Sequence, residues 1–187
     1  WAGKILHRNT SLLSQFNGRN YRDGEVLTVG NRRYQLRIEH ADRKTHAACL
    51  LPGGTIRLRL SPLESGSELS KSIRTLLSRT VAQDFKPEIT RRVLELNERH
   101  FRRPVKGVRL KYNHSNWGSC SRNGNINLST RLLFAPDEVI DYVIIHELAH
   151  LIELNHSPRF WRLVEKAMPH YRKMEQWLKE NRHRCDF

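Results

Sequence analysis

The stretch His146-Glu147-Leu148-Ala149-His150 decides the fold of this chain, because it sets two histidines and a glutamate on one predicted helix. Pro136 suits a first helical position, and acidic residues follow it, so we expect the helix to run from Pro136 to about Leu154. Residues four apart lie on one helix face, so both imidazoles can point at a single metal ion. The glutamate lies about 100° around the helix and can act without being a ligand.

A third metal ligand is expected shortly after this motif. His156 follows His150 by six residues, and Asn155 tolerates the left-handed conformation at which chains often reverse. Glu153 and Glu165 remain alternative third ligands, because a site of two histidines and a glutamate is chemically as good as one of three histidines. Three protein ligands leave one coordination position for water, as in catalytic zinc sites.

The HExxH pattern is specific, since a chain of this length and composition is expected to contain about 0.04 copies by chance. Zinc lowers the pKa of its water to roughly 7, so that a carboxylate can take the proton at neutral pH. We therefore predict one Zn²⁺ per chain, held by His146, His150 and His156. Glu147 is the predicted catalytic base of a hydrolase.

Charge is unevenly distributed along the chain. Residues 1–112 carry 23 Lys and Arg against 10 Asp and Glu, whereas residues 113–187 carry 10 against 9. A basic half beside a neutral half favours an anionic partner, a nucleotide or a nucleic acid, for the N-terminal half. Dispersed surface charge that serves solubility is the alternative. The alternation over 56–60 predicts a strand whose open face shows Arg57 and Arg59, either to phosphates or only to solvent.

Helical and strand-like patterns are mixed along the chain, which predicts an α+β fold. Strands are predicted at 34–38, 56–60 and 108–112, and helices at 1–16, at 67–83 with a kink or restart at Pro87 and continuation to about His100, from Ser157-Pro158 to Pro169, and around 174–178. The Asn123-Gly124 pair predicts a two-residue type I′ hairpin turn. We expect a basic, β-rich N-terminal region at 1–65 and a metallohydrolase domain at 66–187.

Features that mark compartments are few. Cys49, Cys120 and Cys185 form no CxxC motif, which favours a reducing compartment, the cytoplasm, over a disulfide framework. No run approaches the roughly 18 apolar residues of a spanning helix, so no membrane partner is expected. The N-terminus lacks signal-peptide features, but it starts at Trp1 rather than Met, so we expect residues upstream of it.

Several blocks of sequence between Trp117 and Trp161 carry a resemblance to a known family. They are 117–121, 124–128, 135–136 with 138–143, 146–150, and 155–158 with 160–161. In their order and spacing they resemble the YgjP-like family of metal-dependent hydrolases, relatives of the WLM and SprT zincins. The resemblance implies a zincin-like fold with the three histidine ligands and Glu147 as catalytic acid and base. Asn116 departs from the Arg that such proteins usually carry.

Peptide hydrolysis is the preferred interpretation, because a peptide or protein substrate can pair with the edge of the hairpin that precedes the motif helix. His114, Tyr142 and Arg131 are candidates for stabilising the oxyanion. The predicted substrate contacts are Trp117, Gly118, Ser119, Arg131 and His114.

Two alternative functions remain open from the sequence. Members similar to this family have been assigned a nucleoside-triphosphate (UTP-type) pyrophosphatase activity, although this chain lacks a Gly-rich phosphate loop. In the other alternative, the basic half binds DNA or RNA and delivers a protease to proteins bound there. Such binding is electrostatic and weakens steeply with salt.

Overall fold

The computed structural model of the protein describes residues 21–187, which form a mixed α+β fold as the sequence predicts. The helix predicted at 1–16 lies outside the described residues. Among the described residues, backbone contacts group 21–27 and Arg33–Leu77 into a first unit, and Thr28–Arg32 with Ser78–Phe187 into a second. The boundary predicted between residues 65 and 66 stays a prediction.

The first sheet has four strands, β1 (Val26–Val29), β2 (Arg32–His40), β3 (Ala47–Leu51) and β4 (Thr55–Leu60). Their order is β1-β2-β4-β3, with β2 parallel to β4 and β3 antiparallel to it. The predicted alternation is confirmed in β2 and β4, because successive side chains of a strand point to opposite faces. The buried face carries Tyr34, Leu36, Ile56, Leu58 and Leu60, each at most 2% exposed.

A single long helix, α1 (Gly66–His100), covers both predicted helical segments. Pro87 lies inside it and does not restart it. A proline here removes the hydrogen bond to the carbonyl of Gln83, a cost of about 3 kcal/mol in a helix interior. Pro87 and Gln83 lie on the exposed side, while buried Phe85 and Ile89 continue the apolar stripe on either side of the proline. Packing of that stripe is consistent with the helix continuing through the proline.

The second sheet consists of β5 (Gly107–Lys111), β6 (Gly118–Cys120) and β7 (Asn125–Ser129) in the order β5-β7-β6. The type I′ turn predicted between β6 and β7 is wrong, since Gly124 has a φ of +78° but Asn123 does not have a positive φ. Instead, the Gly124 N–H donates to the Ser121 carbonyl at 2.9 Å. Ser at the first and Gly at the fourth position are typical of a type I turn, which needs no positive φ at its centre.

After β7 come a 3₁₀ helix (Thr130–Phe134) and three helices, α2 (Asp137–Ala149), α3 (Pro158–Ala167) and α4 (Tyr171–Asn181). Helix α2 contacts β6, β7, α3 and α4. It ends about five residues before the predicted Leu154, because the N–H groups of Leu151 and Ile152 bond carbonyls only three residues back, at 3.0 Å. The predicted start of α3 is confirmed, with the Ser157 hydroxyl accepting the Phe160 N–H at 3.3 Å. No helix in the described part of the chain is long and apolar enough to cross a bilayer.

Arg92 connects α1 to the N-terminal part of α2 through hydrogen bonds. Its Nε and Nη1 donate to the carboxylates of Asp141 at 2.5 Å and Asp137 at 2.9 Å, and Nη2 donates to the Asp137 carbonyl at 2.7 Å. The Arg92 side chain is only 17% exposed. Hydrogen bonds between charged groups contribute more than neutral ones, and this guanidinium makes three bonds in one place.

The Arg92→Gln substitution is expected to lower the free energy of unfolding by about 2 kcal/mol, because a charged hydrogen-bond cluster is lost. Arg91→Gln is the matched control, since Arg91 is 64% exposed and, within the described residues, pairs with Glu95 one turn away. That pair contributes about 0.3–0.5 kcal/mol. Urea unfolding of the wild type and the two variants measures both losses of stability. Equal losses would contradict a stabilising role for the Arg92 hydrogen bonds.

Candidate metal centre and cleft

Three imidazoles converge at the end of α2. His146 lies in the last turn of the helix, His150 is its C-cap residue, and His156 lies in the loop before α3. One ligand-capable atom from each histidine lies within 4.8 Å of the other two. The Nε2 atoms of His146 and His156 are 3.0 Å apart. Two zinc ligands at about 2.05 Å and a tetrahedral angle would lie about 3.3 Å apart, so the donors nearly have the required spacing already.

The protonation of these rings suits metal binding. The Nδ1 of His150 lies 3.0 Å from the Glu153 carbonyl oxygen and donates to it as N–H, which leaves Nε2 with a free lone pair. Burial, together with the neighbouring His150 and His156, lowers the pKa of His146 to about 3. Burial also lowers the pKa of His150. Both rings are therefore neutral at pH 7, the form that binds a metal.

Phe160 lies beneath all three imidazoles and is fully buried. Its ring centroid is 4.9, 4.5 and 4.8 Å from those of His146, His150 and His156. Trp161 stacks against His156 at 5.8 Å. The position of this ring follows from the Ser157-Pro158 start of α3, which places Phe160 in the first helical turn.

The alternative third ligands point elsewhere. The Glu153 carboxylate lies 4.0 Å from Arg159, and Glu165 is exposed on α3. In the described part of the chain, His146, His150 and His156 are the group of three ligand-type residues with suitable spacing. Three neutral imidazoles are an established donor set for zinc, so the residues present fit the metal that the sequence predicts.

Glu147 is held beside this cluster in a buried position, only 6% exposed. Strand β6 lies directly against it, since a Cβ added to Gly118 would come within 2.6 Å of Glu147 Oε1 and 2.7 Å of its Cγ. Burial raises the pKa of the Glu147 carboxyl to about 8, so without a metal ion this group is mostly protonated at pH 7; a dication bound at the three imidazoles would lower the pKa again and favour the carboxylate. Burial, together with the charge of Glu147, raises the pKa of the Cys120 thiol to about 11, so this cysteine is a neutral thiol.

A cleft of about 330 Å³ opens next to Glu147 and His146. Its other lining residues are Trp117, Gly118, Tyr142, Val143, Glu175, Leu178, Lys179 and Arg182. The sequence does not predict that residues of α4 and the residue after it line the cleft. They lie about 30 residues beyond the motif, and no local pattern marks them. Only the folded packing of α2 against α4 brings them to the cleft.

The predicted substrate contacts separate in the structure. Trp117 and Gly118 line the cleft, whereas the Ser119 hydroxyl accepts from the Asn127 amide at 3.2 Å. Arg131 is 6% exposed, and its guanidinium donates to the carbonyls of Cys185, His114 and Arg182 at 2.7, 3.1 and 2.7 Å. These bonds tie the C-terminal residues to the second sheet. The His114 ring packs edge-on against Tyr112 at 4.7 Å.

Residues 1–181 match the family described as "YgjP-like, metallopeptidase domain". The chain is 26% identical over 99 residues to the UTP pyrophosphatase of Escherichia coli, a match that spans 50% of this chain and 59% of that protein. The metallopeptidase zymogen of Pyrococcus abyssi abylysin is 29% identical, with a TM-score of 0.45 over 49% of this chain and 93% of that chain. The zymogen of Methanocaldococcus jannaschii jannalysin is 18% identical, with a TM-score of 0.44 over 50% and 95%.

We expect one zinc ion per chain to bind to the purified apoprotein. Removing one of three ligands in His150→Ala should weaken zinc binding by at least about 100-fold, more than the loss of a supporting residue does. His40→Ala is the control, because His40 is exposed at the end of β2. Competition with a chromogenic chelator measures both affinities, and unchanged affinity in His150→Ala would contradict this site.

Proposed function

Since this chain belongs to the YgjP-like family of metallopeptidase domains, we propose that it is a zinc-dependent hydrolase that cleaves peptide bonds. The observation that carries the proposal is the buried Glu147 carboxylate beside three converging imidazoles at the mouth of a cleft. The match to the curated relative spans 59% of that protein's length, so the activity and substrate of the whole protein are part of the proposal.

His146, His150 and His156 are the proposed zinc ligands, and one ion binds per chain. When bound, zinc supplies a Lewis acid that acidifies water to a pKa of about 7 and polarises a carbonyl oxygen. The hydrogen bond from His150 to the Glu153 carbonyl holds that ring in one orientation. Phe160 keeps water away from the inner side of the three rings.

Glu147 is the proposed general base and acid. It takes a proton from the attacking water and returns it to the leaving amide nitrogen, so that one carboxylate serves both halves of the reaction. The contact with Gly118 restricts where the carboxylate can lie, because any larger residue in β6 would push it aside. A base held in one place lowers the reorganisation that the reaction requires.

Among the three oxyanion candidates, the placement of Tyr142 supports it best. It lines the cleft one helical turn before His146, and the described part of the chain contains no hydrogen-bond partner for its hydroxyl. Burial raises the pKa of this hydroxyl, so that it stays protonated and can donate. The guanidinium of Arg131 is instead directed at main-chain carbonyls, and His114 is not among the cleft residues.

A peptide substrate is favoured by the walls of the cleft. Strand β6 is at an edge of the second sheet, and its Gly118 faces the cleft, so an extended peptide can add as a further strand. The apolar sides of Trp117, Val143 and Leu178 suit a peptide side chain. Backbone pairing of this kind gives affinity with little sequence preference.

Hydrolysis of a nucleoside triphosphate such as UTP is the second candidate. Its support is the relative named a UTP pyrophosphatase and the presence of Lys179 and Arg182 at the cleft. Both cations are already engaged, since Lys179 pairs with Glu175 at 3.0 Å and Arg182 donates to the His114 carbonyl at 2.6 Å. The Glu175 carboxylate offsets the charge of Lys179, and the carbonyl occupies a donor group of Arg182, which together favour the peptide.

The proposal also assigns the two parts of the chain different tasks. Residues 66–187 form the metallohydrolase domain, and the basic region 1–65 takes the anionic partner that the charge distribution predicts. A protease delivered to its targets by a nucleic acid would need both parts in one chain.

The Glu147→Gln variant should lose peptide hydrolysis by about 10²–10⁴-fold in kcat, because the amide cannot accept the proton. Zinc content should stay at one per chain, since Glu147 is not a ligand. A fluorogenic peptide library and UTP, assayed side by side with the wild type, measure the effect. Glu138→Gln changes an exposed carboxylate at the start of the same helix and should keep full activity. Cleavage of UTP alone, abolished by Glu147→Gln, would replace the peptide with the nucleotide.

Tyr142→Phe should lower kcat for peptide cleavage by about 10²-fold while KM and zinc content change little, since the hydroxyl acts on the developing oxyanion. Tyr112→Phe is the matched control, because the Tyr112 hydroxyl donates to Asp186, next to the last residue of the chain, at 2.6 Å. Steady-state kinetics on one peptide measure both variants. A normal kcat in Tyr142→Phe would remove Tyr142 from the mechanism.

A further inference from the structure

The open face of the first sheet carries a cluster of arginines, which we call the arginine face: Arg33, Arg37, Arg57 and Arg59. They alternate with the buried side chains of β2 and β4 and therefore point to the same side. The side chains of Arg37 and Arg59 are 64% and 47% exposed. Glu39 is the single acidic residue on these two strands, so the cluster has an excess of positive charge.

The strand register brings two of these arginines side by side. Arg37 is the direct cross-strand neighbour of Arg57, and Glu39 is the neighbour of Arg59. Like charges directly opposite each other destabilise a sheet, and an anion bound between or above them would reduce that repulsion. The face is therefore built at a cost to the sheet, and an anionic ligand would remove that cost.

Glu39 does not neutralise the positive charge of the arginine face. Glu39 lies 2.9 Å from Arg37 and 3.8 Å from Arg59, so one carboxylate serves two guanidinium groups. Within residues 21–187, the side-chain hydrogen bond of Arg57 goes to the thiol of Cys49, at 3.7 Å, which is a weak acceptor. Its Nε is buried and has no hydrogen-bond partner among these described residues. A buried donor without a partner destabilises the fold, and the Nη atoms of Arg57 remain the groups that can bind an oxygen ligand.

We propose that the arginine face binds the phosphate backbone of a single strand of nucleic acid. Adjacent strands are about 4.8 Å apart, and residues two apart along a strand are separated by about 6.6 Å. Arg33 and Arg37 are then about 13 Å apart, so the face spans a few nucleotides of one chain. Guanidinium groups match phosphate oxygens with two parallel hydrogen bonds.

The composition of the face favours nucleic acid over other anionic partners. The strands β2, β3 and β4 place no aromatic side chain on it, so bases would not stack there and binding would not depend on sequence. A protein partner would need an apolar centre to its interface, and a membrane surface would need apolar side chains to insert. Among these strands, the apolar side chains on this face are confined to β3, where Ala47, Cys49 and Leu51 lie opposite β4, so charge is the main source of affinity.

The test uses the full chain and a labelled 20-nucleotide single strand of mixed sequence. In the test variant, Arg37, Arg57 and Arg59 are all changed to Gln, and fluorescence anisotropy gives the affinity at several salt concentrations. Each phosphate contact contributes about 0.7 to the slope of log affinity against log salt, so the slope should fall by about 2. At about 100 mM salt the affinity should fall at least about tenfold.

The control variant changes Arg79, Lys86 and Arg99, three exposed residues of α1, to Gln and removes the same net charge. It should bind like the wild type. If the test variant unfolds, Arg37→Gln alone should lower the slope by about 0.7.

Three results would overturn the proposal: equal losses in the test and control variants, no binding by the wild type, or tighter arginine-dependent binding to a duplex, to polyglutamate or to phosphatidylserine vesicles. The hydrolase proposal is independent of these outcomes, since the arginine face lies in the first unit and the metal centre in the second.

Discussion

The convergence of three imidazoles on one point is the constraint on which the proposed chemistry depends. His146 and His150 share a helix face, but His156 arrives from a loop, so its position depends on how the chain leaves α2. The helix ends at His150 with short-range hydrogen bonds, and Ser157 caps the start of α3 seven residues later. Two well-defined helix ends thus fix a third ligand that the helix itself cannot supply.

The surroundings of the cluster serve the same arrangement. Phe160 fills the space beneath the rings, and burial keeps His146 and His150 neutral, because desolvation disfavours their charged forms. Strand β6 presses on Glu147 from the other side through Gly118. The edge strand that limits the movement of the base also borders the cleft, so substrate pairing and positioning of the base would depend on one short strand.

Much of this could be predicted from the sequence, because the signals are local. The alternation in β2 and β4, the cap at Ser157-Pro158 and the spacing of the histidines each involve residues within about ten positions. The turn at Gly124 was mispredicted because Asn-Gly suits two turn types, and local preference alone does not separate them. The end of α2 was also misjudged, since apolar residues continue after His150 without continuing the helix.

What the sequence could not reveal is set by tertiary packing. Lys179 and Arg182 reach the cleft only because α4 packs on α2, and nothing in their own segment marks them. The sequence offers Arg131 as a candidate for substrate contact. In the fold its side chain is buried and donates to three main-chain carbonyls. Likewise, the opposition of Arg37 and Arg57 follows from a parallel register between β2 and β4, which strand patterns do not specify.

X-ray absorption at the zinc edge of the zinc-loaded full chain identifies the metal donors themselves. We expect three imidazole nitrogens at about 2.0–2.1 Å and one further light-atom ligand, with the imidazole signal reduced by one third in His156→Ala. A spectrum with sulfur ligands, with six oxygen ligands, or with an imidazole signal unchanged in His156→Ala would contradict this expectation.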